Sequence, residues 1–242
     1  MNFFVNRDQI ESNKIFIKGS DVNHIKNVLR HVKGDVLDVV SEQVKYRVQI
    51  DEMSSDCVEC EILSTEVEET DKVNLTIFQG LAKADKFEYI IQKCTEIGVH
   101  RIVPTEMKRC VVRLDGKDKI KKVDRWRKIA EVASKQSLRS DILEVAPVTG
   151  FSEVIASLKE FDCVIMAYEK EKDILLKDVL KRIGSDRCKI AVVIGPEGGI
   201  GDDEAVALVE NGACSVSLGK RILRTETAPI VVAANIMYEL ES

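Results

Sequence analysis

The sequence predicts an α/β protein in two parts: a small strand-rich domain over residues 1–70 and a larger domain over residues 73–242 built on a parallel sheet. Three observations carry this. Apolar and polar residues alternate over 36–40, 44–50 and 57–63, as they do in half-buried antiparallel strands. Residues 64–72 are polar, acidic and without periodicity, which marks a domain boundary. From Val73 onward, strand-like runs alternate with helical spacing, the pattern of a largely parallel sheet covered on both faces.

In chain order, residues 3–5 and 14–18 read as short strands. Residues 21–30 read as a helix with Val22, Ile25, Val28 and Leu29 on one face and Asp21 near its cap. Several short strands with one helix suggest a small β-barrel. In the second part, 73–80 is a strand. Helical spacing through Phe87, Ile90, Ile91, Cys94 and Ile97 predicts a helix over 85–97, which Gly98 ends. A strand at 99–104 precedes a long helix at 118–138, with Ile120, Val123, Trp126, Ile129, Val132 and Ala133 facing inward. Strands at 162–168, 190–194 and 213–218 then alternate with helices at 174–183, 202–211 and 228–240. Asp202 and Asp203 open the second of these helices and suit its positive N-terminal dipole.

Composition narrows the function. The 242 residues are 45% hydrophobic and 32% charged, which excludes wholesale disorder. No apolar run reaches the length of a membrane span, and the first residues lack the features of a signal peptide, so a cytoplasmic protein without membrane partners is expected. The seven cysteines are an odd number, mostly inside apolar runs, and read as reduced thiols. Cys57 and Cys60 have metal-type spacing, but no second pair follows, so no metal is expected. His24, His31 and His100 are scattered and suggest no catalytic arrangement. Net charge is −5, yet acidic residues crowd the N-terminal third, ending in Glu66, Glu68, Glu69 and Asp71, while residues 83–139 are basic. Such segregation fits either a phosphate-backbone footprint or a solvated helix face.

Two loops stand out, both leaving the carboxyl ends of strand-like runs, where open α/β sheets bind ligands. Residues 195–201 contain glycines at 195, 198, 199 and 201 together with Pro196 and Glu197. They match neither a P-loop nor a dinucleotide fingerprint, and Glu197 disfavours a pyrophosphate. Residues 218–229 place Arg221, Arg224 and Glu226 between two apolar elements, where charges without partners are costly. Arg224 suits planar recognition of a phosphate or a base edge. Thr225, Glu226 and Thr227 can bond a ligand or cap the last helix, with Pro229 at an early helical position.

Gly195-Pro196-Glu197-Gly198-Gly199, followed by Leu218-Gly219-Lys220-Arg221-Ile222-Leu223-Arg224-Thr225-Glu226-Thr227-Ala228, resembles the RsmE family, the 16S ribosomal RNA uracil-N3 methyltransferases of the SPOUT superfamily. The likeness extends to Lys83 through Lys86, Ile91 through Val99, Arg109 through Arg113, Trp126 through Ile129, Ala133 through Arg139 and Asn23 through Arg30. Ser137-Leu138 before Arg139 departs from the Ser/Cys-Gly-Arg ending typical of the family.

The resemblance implies a PUA-like RNA-binding barrel over 1–70 and a SPOUT methyltransferase domain over 73–242 with a C-terminal trefoil knot. It implies S-adenosylmethionine as cofactor, 16S rRNA or the assembled small subunit as partner, and a homodimer. By analogy the cofactor lies against Ile194, Gly195, Pro196, Gly198, Gly199, Leu218, Gly219, Ile222 and Leu223, with Tyr168 and Glu169 on another side and Thr227 and Ala228 completing the set. Arg224 would stabilise the developing uracil anion, and Glu197 or Glu226 would be the base, directly or through water. Glu197 is left with a second option, offsetting the sulfonium charge. Arg7, Arg30, Lys83, Lys86, Arg109, Arg113, Gln136 and Arg139 are the RNA-contact candidates. Two rivals stay open, another SPOUT RNA methyltransferase (ribose 2′-O or other base) and a non-catalytic RNA-binding protein of the same fold.

Overall fold

The computed structural model describes residues 1–67, 71–184 and 188–241. Glu68 and Glu69 of the acidic boundary lie outside the described residues. The chain forms two units, Met1–Thr70 with Ser134–Ile142, and Asp71–Ala133 with Leu143–Ser242.

In the first unit, β1 (Asn2–Phe4), β2 (Ile10–Glu11), β3 (Lys14–Lys18), α1 (Ser20–Asn23), β4 (Val36–Ser41), β5 (Val44–Met53) and β6 (Cys57–Val67) follow one another. The strands join one sheet in the order β1-β4-β5-β6-β3-β2. The three alternating runs pair antiparallel as their patterning predicts, and β1 pairs parallel to β4. Their inward residues, among them Phe3, Ile15, Ile17, Val39, Val48, Ile50 and Val58, form one core. Cys57 is half-buried and Cys60 fully buried in that core. Three positions apart on a strand, they point to opposite faces and cannot share an ion. Burial pushes the Cys60 thiol up to about 12.

The helix expected over 21–30 is only partly realised. After Asn23 the chain widens into a π-turn over His24–Val28, in which the Leu29 N–H donates to His24 O. Val22 and Ile25 stay buried, but the wider turn rotates the face and leaves Val28 60% and Leu29 40% exposed. Arg30 ends the turn in the left-handed region at φ 57°, and the His31 N–H reaches back to Ile25 O.

The second unit begins with β7 (Val73–Gly80), α2 (Ala84–Ile97), β8 (Arg101–Glu106) and α3 (Gly116–Gln136). It continues with β9 (Glu144–Val145), β10 (Thr149–Gly150), α4 (Phe151–Ser157), β11 (Cys163–Ala167), α5 (Leu176–Leu180), β12 (Cys188–Ile194), α6 (Asp202–Glu210), β13 (Cys214–Val216) and α7 (Ala228–Leu240). Its sheet runs β10-β8-β7-β12-β11-β13, with β9 beside β8, and every pairing is parallel. β12 lies between β7 and β11, and its residues Ile190 through Ile194 are all buried, as a central parallel strand covered on both faces requires.

Gly98 ends α2 in the left-handed region at φ 107°. In α3 the inward stripe is Val123, Trp126, Ala130 and Ala133, with Trp126 stacked on Phe87 at 4.3 Å between ring centroids. Ile120 and Val132, expected inward, are 65% and 54% exposed. Val132 falls about 100° of helix rotation from Ala133 and so off the stripe, and Ile120 sits near the exposed start of the helix.

At the end of α3, within the first unit, Lys135 pairs with Asp21 at 2.8 Å and both side chains are largely buried. Leu138 then takes φ 60°, a conformation that suits glycine and strains a leucine. Its side chain is 51% exposed, so little packing would be lost on removing it. Leu138→Gly should therefore raise stability by about 0.5–1 kcal/mol, the relief of left-handed strain less the added glycine entropy. Denaturant melts of the two proteins check this; equal or lower stability of the variant would count against strain at this turn.

Candidate functional site

The carboxyl ends of β7, β12, β11 and β13 come together, and the loops that leave the last three line a cavity of about 1030 Å³. From the β12 loop come Ile194, Gly195, Pro196, Glu197, Gly198 and Gly199, and from the β11 loop Tyr168 and Glu169. Leu218, Gly219, Ile222, Leu223, Arg224 and Ala228 come from the β13 loop and the start of α7. Every cofactor candidate of the sequence except Thr227 is thus in the lining. Thr227 stands one step back, its N–H donating to Arg224 O at 2.9 Å.

Close backbone approach explains the glycines. A Cβ on Gly195 would lie 2.8 Å from Gly199 C, and one on Gly198 3.0 Å from Arg109 Cβ. Gly199 is required for a different reason, its φ of 73°; an added Cβ would meet only the Glu169 carboxylate, a side-chain end that can move. On neighbouring β7, Gly80 makes room for Pro196, whose N and Cδ would be 2.5 and 2.6 Å from an added Cβ.

Gln79, fully buried at the end of β7, ties the two loops together. Its amide Nε2 donates to Thr225 Oγ1 at 3.1 Å and to Gly195 O at 3.4 Å, and Thr225 Oγ1 donates to Gly195 O at 2.8 Å. The sequence reading missed Gln79 and Gly80, and missed Glu171, Lys172, Leu175, Ser217 and Lys220 of the lining. The signal for Gln79 was a polar residue closing an apolar parallel strand, at the sheet edge where ligands bind.

One end of the lining is charged. Lys86 Nζ lies 3.2 Å from Glu226 Oε2 and 3.7 Å from Glu197 Oε1. Arg224 Nη1 lies 3.9 Å from Glu226 Oε1. Glu197 Oε1 also accepts the Lys83 N–H at 3.1 Å at the N-terminus of α2, where a carboxylate is favoured by the helix dipole. Glu226 is outside the lining, behind Lys86 and Arg224, with 17% of its side chain exposed. On the β11 side the Tyr168 hydroxyl donates to Asp202 Oδ1 at 3.0 Å, and Lys170 pairs with the same oxygen. Lys170 and then Tyr168 hold the Asp202 carboxyl below its usual range, while burial and then Asp202 push the Tyr168 phenol up. Asp203 pairs with Lys108 at 3.0 Å, and Glu204 accepts the Gly201 N–H at 3.0 Å, so the acidic start of α6 is also a structural cap.

The RNA-contact candidates differ in their surroundings. Arg7, Arg30 and Gln136 of the first unit, and Lys83, Arg109 and Arg113 of the second, are exposed. Lys86 belongs to the charged end of the cavity. Arg139 is taken up by Asp141, with Nη2 at 2.7 Å and 10% of its side chain exposed, which favours a structural role. Among the described residues no group of three or more His, Cys, Asp or Glu could hold a metal ion, and no helix is long and apolar enough to cross a membrane.

A parallel α/β unit with a glycine-walled cavity at its strand ends belongs to a recognisable class, and residues 69–237 match the RNA methyltransferase domain family. The Ribosomal RNA small subunit methyltransferase E of Bacillus subtilis is 36% identical over 241 residues, covering 97% of this chain and 94% of that one. Its Mesomycoplasma hyopneumoniae counterpart is 32% identical, covering 94% and 95%. The crystal structure of the Neisseria gonorrhoeae enzyme of that name, bound to S-adenosylmethionine, superposes with a TM-score of 0.84 at 28% identity, covering 98% and 96%. The chain belongs to the ribosomal RNA small subunit methyltransferase E family.

Proposed function

We propose that this protein transfers a methyl group from S-adenosylmethionine to N3 of a uridine in 16S rRNA near the decoding centre. The observation that carries the reading is the cavity itself, which joins a cradle of bare backbone to a charged end formed by Lys86, Glu197 and Arg224. The residues present fit the cofactor. Backbone donors and acceptors of residues 194–199, 218 and 219 suit a neutral adenine, and Leu218, Ile222 and Leu223 add apolar surface. When bound, S-adenosylmethionine supplies a methyl group on a cationic sulfur. The chain's own residues must hold a uridine whose pairing edge is free, remove its weakly acidic N3 proton and stabilise the charge that develops. Arg224 and a nearby carboxylate, Glu197 or Glu226, are the groups with the chemistry to do so.

The wider reading is a cytoplasmic homodimer, with a PUA-like barrel in residues 1–70 and a knotted SPOUT domain in residues 73–242. Arg7, Arg30, Lys83, Arg109, Arg113 and Gln136 would meet the rRNA backbone. N3-methyluridine cannot form a Watson–Crick pair, so reverse transcription of small-subunit RNA should stop at the modified base. In cells lacking the protein, the stop near the decoding centre should vanish and should return with the gene. A stop that persists unchanged would sink the assignment, and a methyl mapped to a ribose would favour a different SPOUT reaction.

A further inference from the structure

We propose that Lys86, Glu226 and Arg224 form a donor–acceptor–donor edge that reads uracil, with Lys86 a catalytic residue on one ring carbonyl and Glu226 the acceptor of the N3 proton. The proposal rests on the uridine-N3 reading above and deepens it. The pairing edge of uracil presents O4, N3–H and O2, an acceptor, a donor and an acceptor. Its complement is a carboxylate between two cationic donors. Glu226 is such a group, with Lys86 Nζ 3.2 Å from Oε2 and Arg224 Nη1 3.9 Å from Oε1. Cytosine presents a donor, an acceptor and an acceptor, so its N3 lone pair would face the carboxylate and its amino group a cation. Both contacts are repulsive, and the site would reject it.

The two candidate carboxylates are not equivalent. Glu197 Oε1 already accepts the Lys83 N–H at the start of α2, and its distance to Lys86 is 3.7 Å. Glu226 Oε2 is buried and has no hydrogen-bond partner, because its 3.2 Å approach to Lys86 is an ion pair outside hydrogen-bond geometry. Lys86 and Arg224 line the cavity in front of Glu226, so these two side chains must swing aside for the ring edge to reach it; the ring N–H then supplies the donor that this buried acceptor lacks. In the transfer the N3 proton passes to Glu226, and the N3 lone pair forms the new bond to the methyl carbon. The bond from sulfur to that carbon breaks with its electron pair remaining on sulfur. The charge that moves onto the ring oxygens meets Lys86, half-buried, at one end and the exposed Arg224 at the other; the lower exposure of Lys86 makes it the stronger of the two donors.

Lys86→Met and Lys86→Arg, compared on small-subunit RNA carrying either uridine or 5-fluorouridine, test this. The fluorine makes N3–H more acidic and lessens the need for a cation at the ring oxygen. Lys86→Met should lower kcat on the order of 10²-fold, with S-adenosylmethionine affinity nearly unchanged by calorimetry. Lys86→Arg should recover part of the loss, and 5-fluorouridine should raise the methionine variant's rate by a larger factor than the wild type's. A near-normal kcat in Lys86→Met would overturn the proposal. So would a loss confined to the KM for RNA and indifferent to fluorine, which would make Lys86 a backbone contact. If the wild-type protein forms no N3-methyluridine, the function itself is wrong, an outcome separate from any behaviour of Lys86.

Discussion

Gly195→Ala is expected to lower S-adenosylmethionine affinity by about 100-fold or more, equivalent to roughly 2.7 kcal/mol, and to destabilise the fold by about 1–3 kcal/mol. The added Cβ would stand 2.8 Å from Gly199 C and 2.9 Å from both Ile200 N and Cγ1. Backbone on a closed loop cannot yield as a side-chain tip can, so the loop itself must shift. Gly195 O is also the point at which two loops meet, accepting Thr225 Oγ1 at 2.8 Å and Gln79 Nε2 at 3.4 Å. Moving it would loosen the β13 loop as well and leave Gln79 and Thr225 buried with fewer partners. Gly219→Ala is the matched comparison. Nothing lies within 4 Å of its would-be Cβ, so only the strain of φ 115° is added, about 1–2 kcal/mol. Calorimetry with S-adenosylmethionine and denaturant melts of both variants decide the matter. If Gly195→Ala binds within threefold of wild type, close packing of this loop is not what forms the site.

Most of the site was legible because its residues lie in two short stretches whose chemistry is out of place for ordinary turns. Ile190 through Ile194 read as a buried strand on apolar content alone, and the glycines after it require either a turn or a ligand. Of the charges between two apolar elements, Glu226 is largely buried and pairs with Lys86, whereas Arg221 and Arg224 are exposed and escape the cost of burial. What stayed hidden depends on pairing between distant segments. That Gly80 makes room for Pro196 follows from β7 lying beside β12 with Gln79 opposite Ile194, a register set by the whole sheet. Lys86 read as one more residue of a basic stretch, and only the packing of α2 against these loops sets it between two carboxylates. In the fold, β9 and β10 went unread because two-residue strands are too short to show a period. The departure at Leu138 was visible as a missing glycine, and its φ of 60° supplies the physical reason.

Arg224→Ala should lower kcat about 10²–10³-fold, roughly 2.7–4 kcal/mol, while leaving fold and cofactor affinity close to wild type. The side chain contributes little to the fold. It is 82% exposed, and its ion pair to Glu226 spans 3.9 Å, so truncation removes little packing and opens no cavity. The start of α7 depends on the backbone of this residue, since Arg224 O accepts the N–H groups of Thr227 and Ala228 at 2.9 and 3.0 Å, and alanine keeps both bonds. A guanidinium that lines the cavity and contributes so little to the fold is available to a ligand, and its five donors suit a carbonyl that gains negative charge. Arg224→Lys should fall between wild type and alanine, because it keeps the charge and loses the planar fork. Single-turnover methyl transfer at saturating S-adenosylmethionine isolates this step from cofactor binding. Near-normal turnover in Arg224→Ala would remove Arg224 from the chemistry. A collapse of cofactor affinity instead would move it into the binding wall and leave the uracil anion to Lys86 alone.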